Sequence, residues 1–189
     1  MAESKGYNFI HPFDGPHTLQ GSATLGLEIC DEFIKSKKKI DNVIISVGGG
    51  GLVSGVGSYI KHKFPNAKIY GVEPKFANGM TKSLIKGEPL NNIKLNSIAD
   101  SLSSPLHMPY SFGIAKQIIY KMINVTDNEL KISMRFAFEN LKLTLEPACA
   151  AVLAALKKIK TSELKNKNTV LILCGSNIDY TSWKKIAYK

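Results

Sequence analysis

Apolar positions change period several times along this chain. Val43 to Val47 is a nearly unbroken β-branched run, the pattern of a strand covered on both faces of a parallel sheet. Leu52, Val56, Tyr59 and Ile60 then recur at helical spacing as far as Phe64-Pro65, and Lys68 to Val72 returns to strand character. Residues 43–72 therefore read as one strand, helix, strand unit of about thirty residues, the size of a crossover between parallel strands. Upstream, a helix is predicted from about Gln20 to Ile34, with Leu27 and Ile34 on one face. Tyr7 to Ile10 is a short strand candidate ahead of HPFDGP, whose two prolines and glycine force a turn.

Further along, the pattern predicts a helix over Ser111–Met122 and a short strand over Ile123–Val125. The T-x-x-E capping box of Thr126 and Glu129 opens another helix, running to about Leu141. Glu146-Pro147 starts an alanine-rich helix to about Lys160, with proline tolerated in the first turn, and Val170 to Leu173 is the last buried strand. At least four strands and five helices alternate without repeats or linkers. Residues 1–189 are accordingly expected to form a single α/β domain, three-layer αβα with a mostly parallel central sheet.

Composition narrows the function classes. A hydrophobic share of 44% with 21% charged residues is globular rather than disordered. The net charge of +10 invites nucleic acid, but the charge is spread along the chain and every cation except Arg135 is a lysine. Without arginine forks to read bases, nucleic acid is not an expected partner. Asn42 to Ile60 carries no charge for 19 residues, yet its four consecutive glycines argue against a membrane helix. Cys30, Cys149 and Cys174 are odd in number and form no CxxC pair, so neither a disulfide framework nor a zinc ribbon is indicated. The opening residues contain no apolar signal region, and a cytoplasmic location is expected. His11, His17, His62 and His107 show no ligand spacing, and surface placement is their default.

The sharpest chemical feature is SVGGGGLVSG, Ser46 to Gly55, between a buried strand and an amphipathic helix. Four glycines let backbone N–H groups converge on one point, and the helix that follows adds its unpaired donors and positive dipole end. That arrangement is a phosphate cradle. The triphosphate-loop pattern GxxxxGK[ST] is absent, and the dinucleotide spacing GxGxxG fails because Val53 or Ser54 stands at its third position. A compact phosphate monoester fits better.

ISVGGGGLVSGV, YGVEP at Tyr70 to Pro74, SIAD at Ser97 to Asp100, LEPACAA at Leu145 to Ala151 and GSNID at Gly175 to Asp179 together resemble the serine/threonine dehydratase family. HPFDGP and GSATLGLEI, Gly21 to Ile29, fit the same family in the same order. Its members are pyridoxal-phosphate enzymes of the tryptophan-synthase β-like fold, or fold type II. The resemblance implies β-elimination of serine or threonine to a 2-oxo acid and ammonia, and an alternative within the same family is an amino-acid racemase. It implies that Gly48, Gly49, Gly50, Gly51 and the Leu52 amide hold the cofactor phosphate. Glu146 would lie near the cofactor ring. Cys174 falls where the family usually has a serine facing the pyridine nitrogen, and a thiol is the weaker donor. Its other reading is a buried thiol behaving as a small hydrophobe.

Glu73 and the Ala77 carbonyl match two positions of a divalent-cation site found in some relatives, but Gly79 stands where a carboxylate would complete it. Oxygen-rich sites weaken with each missing ligand, so a bound cation is not expected. The family's Schiff-base lysine lies upstream of the HPFD segment and is expected before Met1, so no catalytic residue is expected in this chain, which alone should be inactive. The implied arrangement is the C-terminal portion of the large, cofactor-binding domain, lacking its N-terminal elements and most of the small substrate domain. Exposed apolar edges, a separate N-terminal chain as partner and a homo-oligomer when complete all follow as expectations. So does a short, catabolic type without a regulatory domain. A cofactor-binding remnant without activity is the reading from another class.

Overall fold

The run from Val43 to Val47 does form a strand with two buried faces. Val43, Ile45 and Val47 pack into one core with Val53, Val56, Ile60 and Phe112, while Ile44 turns to a second core with Tyr70, Val72, Leu130 and Val152, as the alternation of side chains along a strand requires. The computed structural model describes residues 3–188. Its strands β1 (Asn42–Ser46), β2 (Lys68–Pro74), β3 (Ile119–Val125) and β4 (Thr169–Leu171) form one sheet in the order β3-β2-β1-β4. Every pairing is parallel, with Val43 opposite Ile69 on one side and Val170 on the other.

Helices cover both faces. On one side α1 (Pro16–Lys35), α2 (Gly51–Lys63), α3 (Gly79–Lys86) and α4 (Pro109–Ile118) contribute to the core around Val43 and Ile45. On the other, α5 (Asp127–Phe136) and the nearly all-buried α6 (Pro147–Leu156) pack beneath Ile44 and Tyr70. The short α7 (Thr161–Leu164) precedes β4, and α8 (Tyr180–Tyr188) closes the chain by inserting Trp183 against α6. This is the three-layer αβα architecture of the sequence reading. No helix among the described residues is long and apolar enough to cross a membrane.

Several boundaries differ from the pattern: α1 begins at Pro16 rather than about Gln20, α6 ends at Leu156 rather than about Lys160, and β4 ends at Leu171 rather than Leu173 and, as an edge strand, is only half-buried. The helix expected over Ser111–Met122 ends at Ile118, and β3 begins at Ile119. The apolar run Ile118-Ile119-Tyr120 satisfies either period, and pairing with β2 decides for the strand. The strand expected at Tyr7 to Ile10 is absent, and Tyr7, Phe9 and Ile10 are exposed. The helix expected to reach Leu141 continues past Phe136 only as a π turn, Ala137–Leu141.

The capping box is present as read. Thr126 accepts from the Glu129 amide at 3.3 Å, and the Glu129 carboxylate accepts from the Thr126 amide at 2.7 Å. Thr126→Ala should lower stability by about 1 kcal/mol, seen as an earlier urea midpoint with an unchanged slope. An unmoved midpoint would show that β3 and α6 hold α5 in place without it.

Candidate functional site

The chain leaves β1 through α2 towards β2 on one side, while β4 returns on the other side of β1. In an open parallel sheet, ligands bind outside the carboxyl ends of the strands at such a reversal. A cleft of about 360 Å³ lies there, walled by Val47 to Val53 after β1 and by Ile172, Cys174 and Gly175 after β4. Glu146, Ala148 and Cys149 at the start of α6 form a third wall, and Pro12, Phe13, Ser101 and Leu102 complete it. The topology thus brings together residues from four of the motifs singled out in the sequence, HPFDGP, ISVGGGGLVSGV, LEPACAA and GSNID, and Cys174 beside them.

Glycine is required in the loop on steric grounds. Gly50 has φ of 100° and stands at the N-cap of α2, a left-handed conformation that costs a residue with Cβ roughly 1–2 kcal/mol. A Cβ on Gly48 would lie 2.9 Å from the Ser101 carbonyl oxygen, and one on Gly51 would lie 2.8 Å from the Phe13 Cα. A Cβ on Gly49 would run into the Phe13 ring. The HPFDGP segment is therefore laid directly over the glycines. Asp14 anchors it there, its carboxylate accepting from the Ser111 amide in the first turn of α4 at 2.6 Å.

Among the described residues, the N–H groups of Gly48 to Val53 donate to no other group of the chain. Such a row of free donors beside a helix N-terminus is suited to an anion. The fit to a phosphate ester is direct, because the glycines keep the floor of the cleft clear of side chains and a Cβ there has no room.

Glu146 is the N-cap residue of α6. Its amide donates to the Gly175 carbonyl at 3.1 Å, and Trp183 Nε1 fixes the preceding Leu145 carbonyl at 3.1 Å. A Cβ on Gly175 would come within 2.8 Å of the Glu146 Oε1 atom, so that carboxylate lies against the β4 exit. Cys174 is not a core thiol, which corrects one of its two readings: it is exposed at the cleft wall. The surrounding walls still withdraw its sulfur from part of its solvent, and this desolvation, with the charge of Glu146 added, raises its pKa. Cys149 behind it is buried, and desolvation pushes its thiol up to about 11.

Glu73 is fully buried at the end of β2, with its carboxylate engaged elsewhere than in a cation site. It accepts from the Met80 amide at 2.9 Å, the Thr81 amide at 2.8 Å and the Thr81 hydroxyl. It therefore closes the N-terminus of α3. Ala77 is buried nearby, and no group of three metal-ligating side chains occurs among the described residues.

His107 departs from its expected surface placement. It is 5% exposed and lies behind the glycine loop. Its Nε2 is 3.2 Å from the Gly48 carbonyl and its Nδ1 2.8 Å from the Ser83 hydroxyl, which itself accepts from the Leu90 amide at 3.2 Å. Desolvation lowers its pKa, partly offset by the Gly48 contact. A lone histidine far from the motifs carries no local signal of burial, so only the tertiary structure reveals it. Phe13 was visible only within HPFDGP, as part of a turn and of the family resemblance, with no sign that its ring lies over Gly49.

Comparison with known proteins agrees with this geometry. The chain is 38% identical over 185 residues to a phenylserine dehydratase of Ralstonia pickettii, covering 98% of this chain and 56% of that protein. It is 34% identical over 189 residues to a serine racemase of Dictyostelium discoideum, covering 98% and 57% respectively. Among solved structures, the processed form of threonine deaminase isoform 2 from Solanum lycopersicum superposes with a TM-score of 0.86 at 32% identity, over 98% of this chain and 53% of that one. Maize serine racemase superposes with a TM-score of 0.87 at 28% identity, over 98% and 56%. The chain spans about half the length of the two curated relatives. The family model for pyridoxal-phosphate dependent enzymes matches residues 1–175, and this chain belongs to that family.

Proposed function

We propose that this chain forms the phosphate- and ring-binding part of a pyridoxal-phosphate lyase that deaminates a β-hydroxy amino acid, serine or threonine, to a 2-oxo acid and ammonia. The observation that carries this reading is the convergence of Gly48 to Leu52, Glu146 and Cys174 on one cleft at the strand-order reversal. Bound there, pyridoxal phosphate supplies the electron sink that lets a proton leave the α-carbon of an amino acid.

The chain's own residues would serve it in distinct ways. The amides of Gly48 to Leu52 receive the phosphate, and Phe13, laid over Gly49, excludes water from that side. Cys174 has a pKa raised above 9.0 and so stays a neutral thiol at physiological pH. It offers a weak S–H donor rather than a charge to the cofactor ring. No lysine lines the cleft, so the reading assigns the imine-forming amine to a segment outside these residues. The serine racemases among the relatives favour racemisation as the second reading.

Titrating the full chain with pyridoxal phosphate should give saturable one-to-one binding in the cofactor absorbance. A linear, unsaturated response would overturn the cofactor assignment. Co-expressed with a segment that supplies the amine, the chain should release 2-oxo acid and ammonia from L-serine or L-threonine. D-serine without 2-oxo acid would favour the racemase instead.

A further inference from the structure

The carbonyls of the glycine loop are held from behind, each by a different part of the fold. The Gly48 carbonyl accepts from His107 Nε2 at 3.2 Å, the Gly49 carbonyl from Ser111 Oγ at 3.4 Å, the Gly50 carbonyl from the Ser54 amide at 3.0 Å and the Gly51 carbonyl from Ser22 Oγ at 3.1 Å. None of these four donors lines the cleft. In a trans peptide the C=O of one residue and the N–H of the next point in opposite directions. Holding each carbonyl from behind therefore turns the next amide, from Gly49 to Leu52, towards the other side. Glycine has no side chain to fix these planes and the widest backbone freedom to lose, so the clamp has to come from elsewhere.

The donors are unequal. Ser111 Oγ has one proton and lies 3.4 Å from both the Gly49 and the Met108 carbonyls. Ser22 Oγ likewise faces both Leu19 and Gly51 at 3.1 Å. His107 is undivided. A carbonyl can only accept, so a proton sits on Nε2; burial keeps the ring neutral, so Nδ1 accepts, and Ser83 donates to it while receiving the Leu90 amide proton. Every partner in this chain has one role, so the imidazole is fixed in tautomer and orientation.

We propose that His107 is a positioning residue of the phosphate cradle, its Nε2–H holding the Gly48 carbonyl away from the cleft and so aiming the Gly49 amide at the phosphate. This rests on the cofactor reading above, and the experiment separates the two. The affinities of the full chain for pyridoxal phosphate and for pyridoxal, which lacks the phosphate, are measured in the wild type and in His107→Leu, His107→Gln and His107→Asn.

Gln places a donor near the position of Nε2, whereas Asn reaches only the Nδ1 position and Leu has no donor. Pyridoxal phosphate affinity should fall at least tenfold in His107→Leu and His107→Asn and stay within about threefold in His107→Gln, one hydrogen bond to a phosphate-binding unit being worth roughly this much. Pyridoxal affinity should change little in all three. Equal losses for both ligands, or an unchanged preference for the phosphate ester in His107→Leu, would overturn the proposal. If Leu and Asn do not fold, the Gln variant decides alone: retained affinity supports the clamp, and an unfolded or weakened Gln variant overturns it. A wild type that binds neither ligand overturns the cofactor reading and this inference with it.

Discussion

Gly49→Ala and Gly51→Ala should each cost the chain its pyridoxal phosphate affinity by about 100-fold or more, and only the first should be rescued by truncating Phe13. Both added methyl groups collide with the same residue, but with different parts of it. The methyl on Gly49 meets the Phe13 ring, whereas that on Gly51 meets the Phe13 backbone, 2.8 Å from Cα and 2.9 Å from the carbonyl oxygen. A ring can be removed. The backbone cannot retreat without pulling Asp14 from the Ser111 amide it holds at 2.6 Å. Overpacking of this kind costs about 1–3 kcal/mol in the folded state, and displacement of the loop removes the alignment of several amides at once. In Gly49→Ala/Phe13→Ala most of the affinity should return, a coupling of the kind a double-mutant cycle isolates. In Gly51→Ala/Phe13→Ala it should not. The check is cofactor titration of the four variants alongside their thermal unfolding. Rescue of both or of neither would show that HPFDGP does not cover the loop in this manner.

The part of this site that was legible in the sequence is the part built from contiguous chemistry. Gly48 to Gly51 follow a β-branched strand and precede an amphipathic helix, and local periodicity alone places them at a strand end. Glu146 and Cys174 could be brought to the same place only through the family resemblance, because their meeting depends on the return of β4 beside β1. His107 was misread because its two partners, Ser83 and Gly48, are 24 and 59 positions away in sequence. Cys174 was ambiguous for the same reason: whether a residue after a buried strand faces core or cleft depends on what α6 does opposite it. The β3 boundary was misplaced by four residues, Ile119 in place of Ile123, because apolar spacing through Ile118-Ile119-Tyr120 serves a helix and a strand equally well.

The stability that wild type holds relative to Glu73→Gln should fall as the pH rises from about 4.5 to about 7. Burial pushes the Glu73 carboxyl up to about 7 from 4.5, against the lowering influence of the Thr81 hydroxyl and of the Thr81 and Met80 amides. A carboxyl whose folded pKa is raised favours the protonated form in the fold. Its contribution is complete below the unfolded value and is lost as the unfolded chain ionises and the folded one does not. Over 2.5 pH units (7 − 4.5) the loss amounts to roughly 3 kcal/mol, and above pH 7 it stays constant. His107 acts in the opposite direction. Its folded pKa is lowered from 6.5, so it destabilises the fold as pH falls below that value. The readout is therefore the difference between wild type and Glu73→Gln in urea unfolding at several pH values, in which His107 and every other group cancel. An amide at position 73 leaves one backbone donor less well served, a pH-independent offset, so the slope of the difference carries the test. A flat difference would mean that the donors of α3 outweigh burial and that the carboxylate is already charged at pH 5. The consequence reaches the cleft, because α3 carries both Ser83, which orients His107, and Met80, whose methyl would lie 3.1 Å from a Cβ on Gly50. In the folded chain Glu73 charges only around pH 7, so a difference in the pH dependence of phosphate affinity between wild type and Glu73→Gln should appear around that pH and not between about 4.5 and about 6.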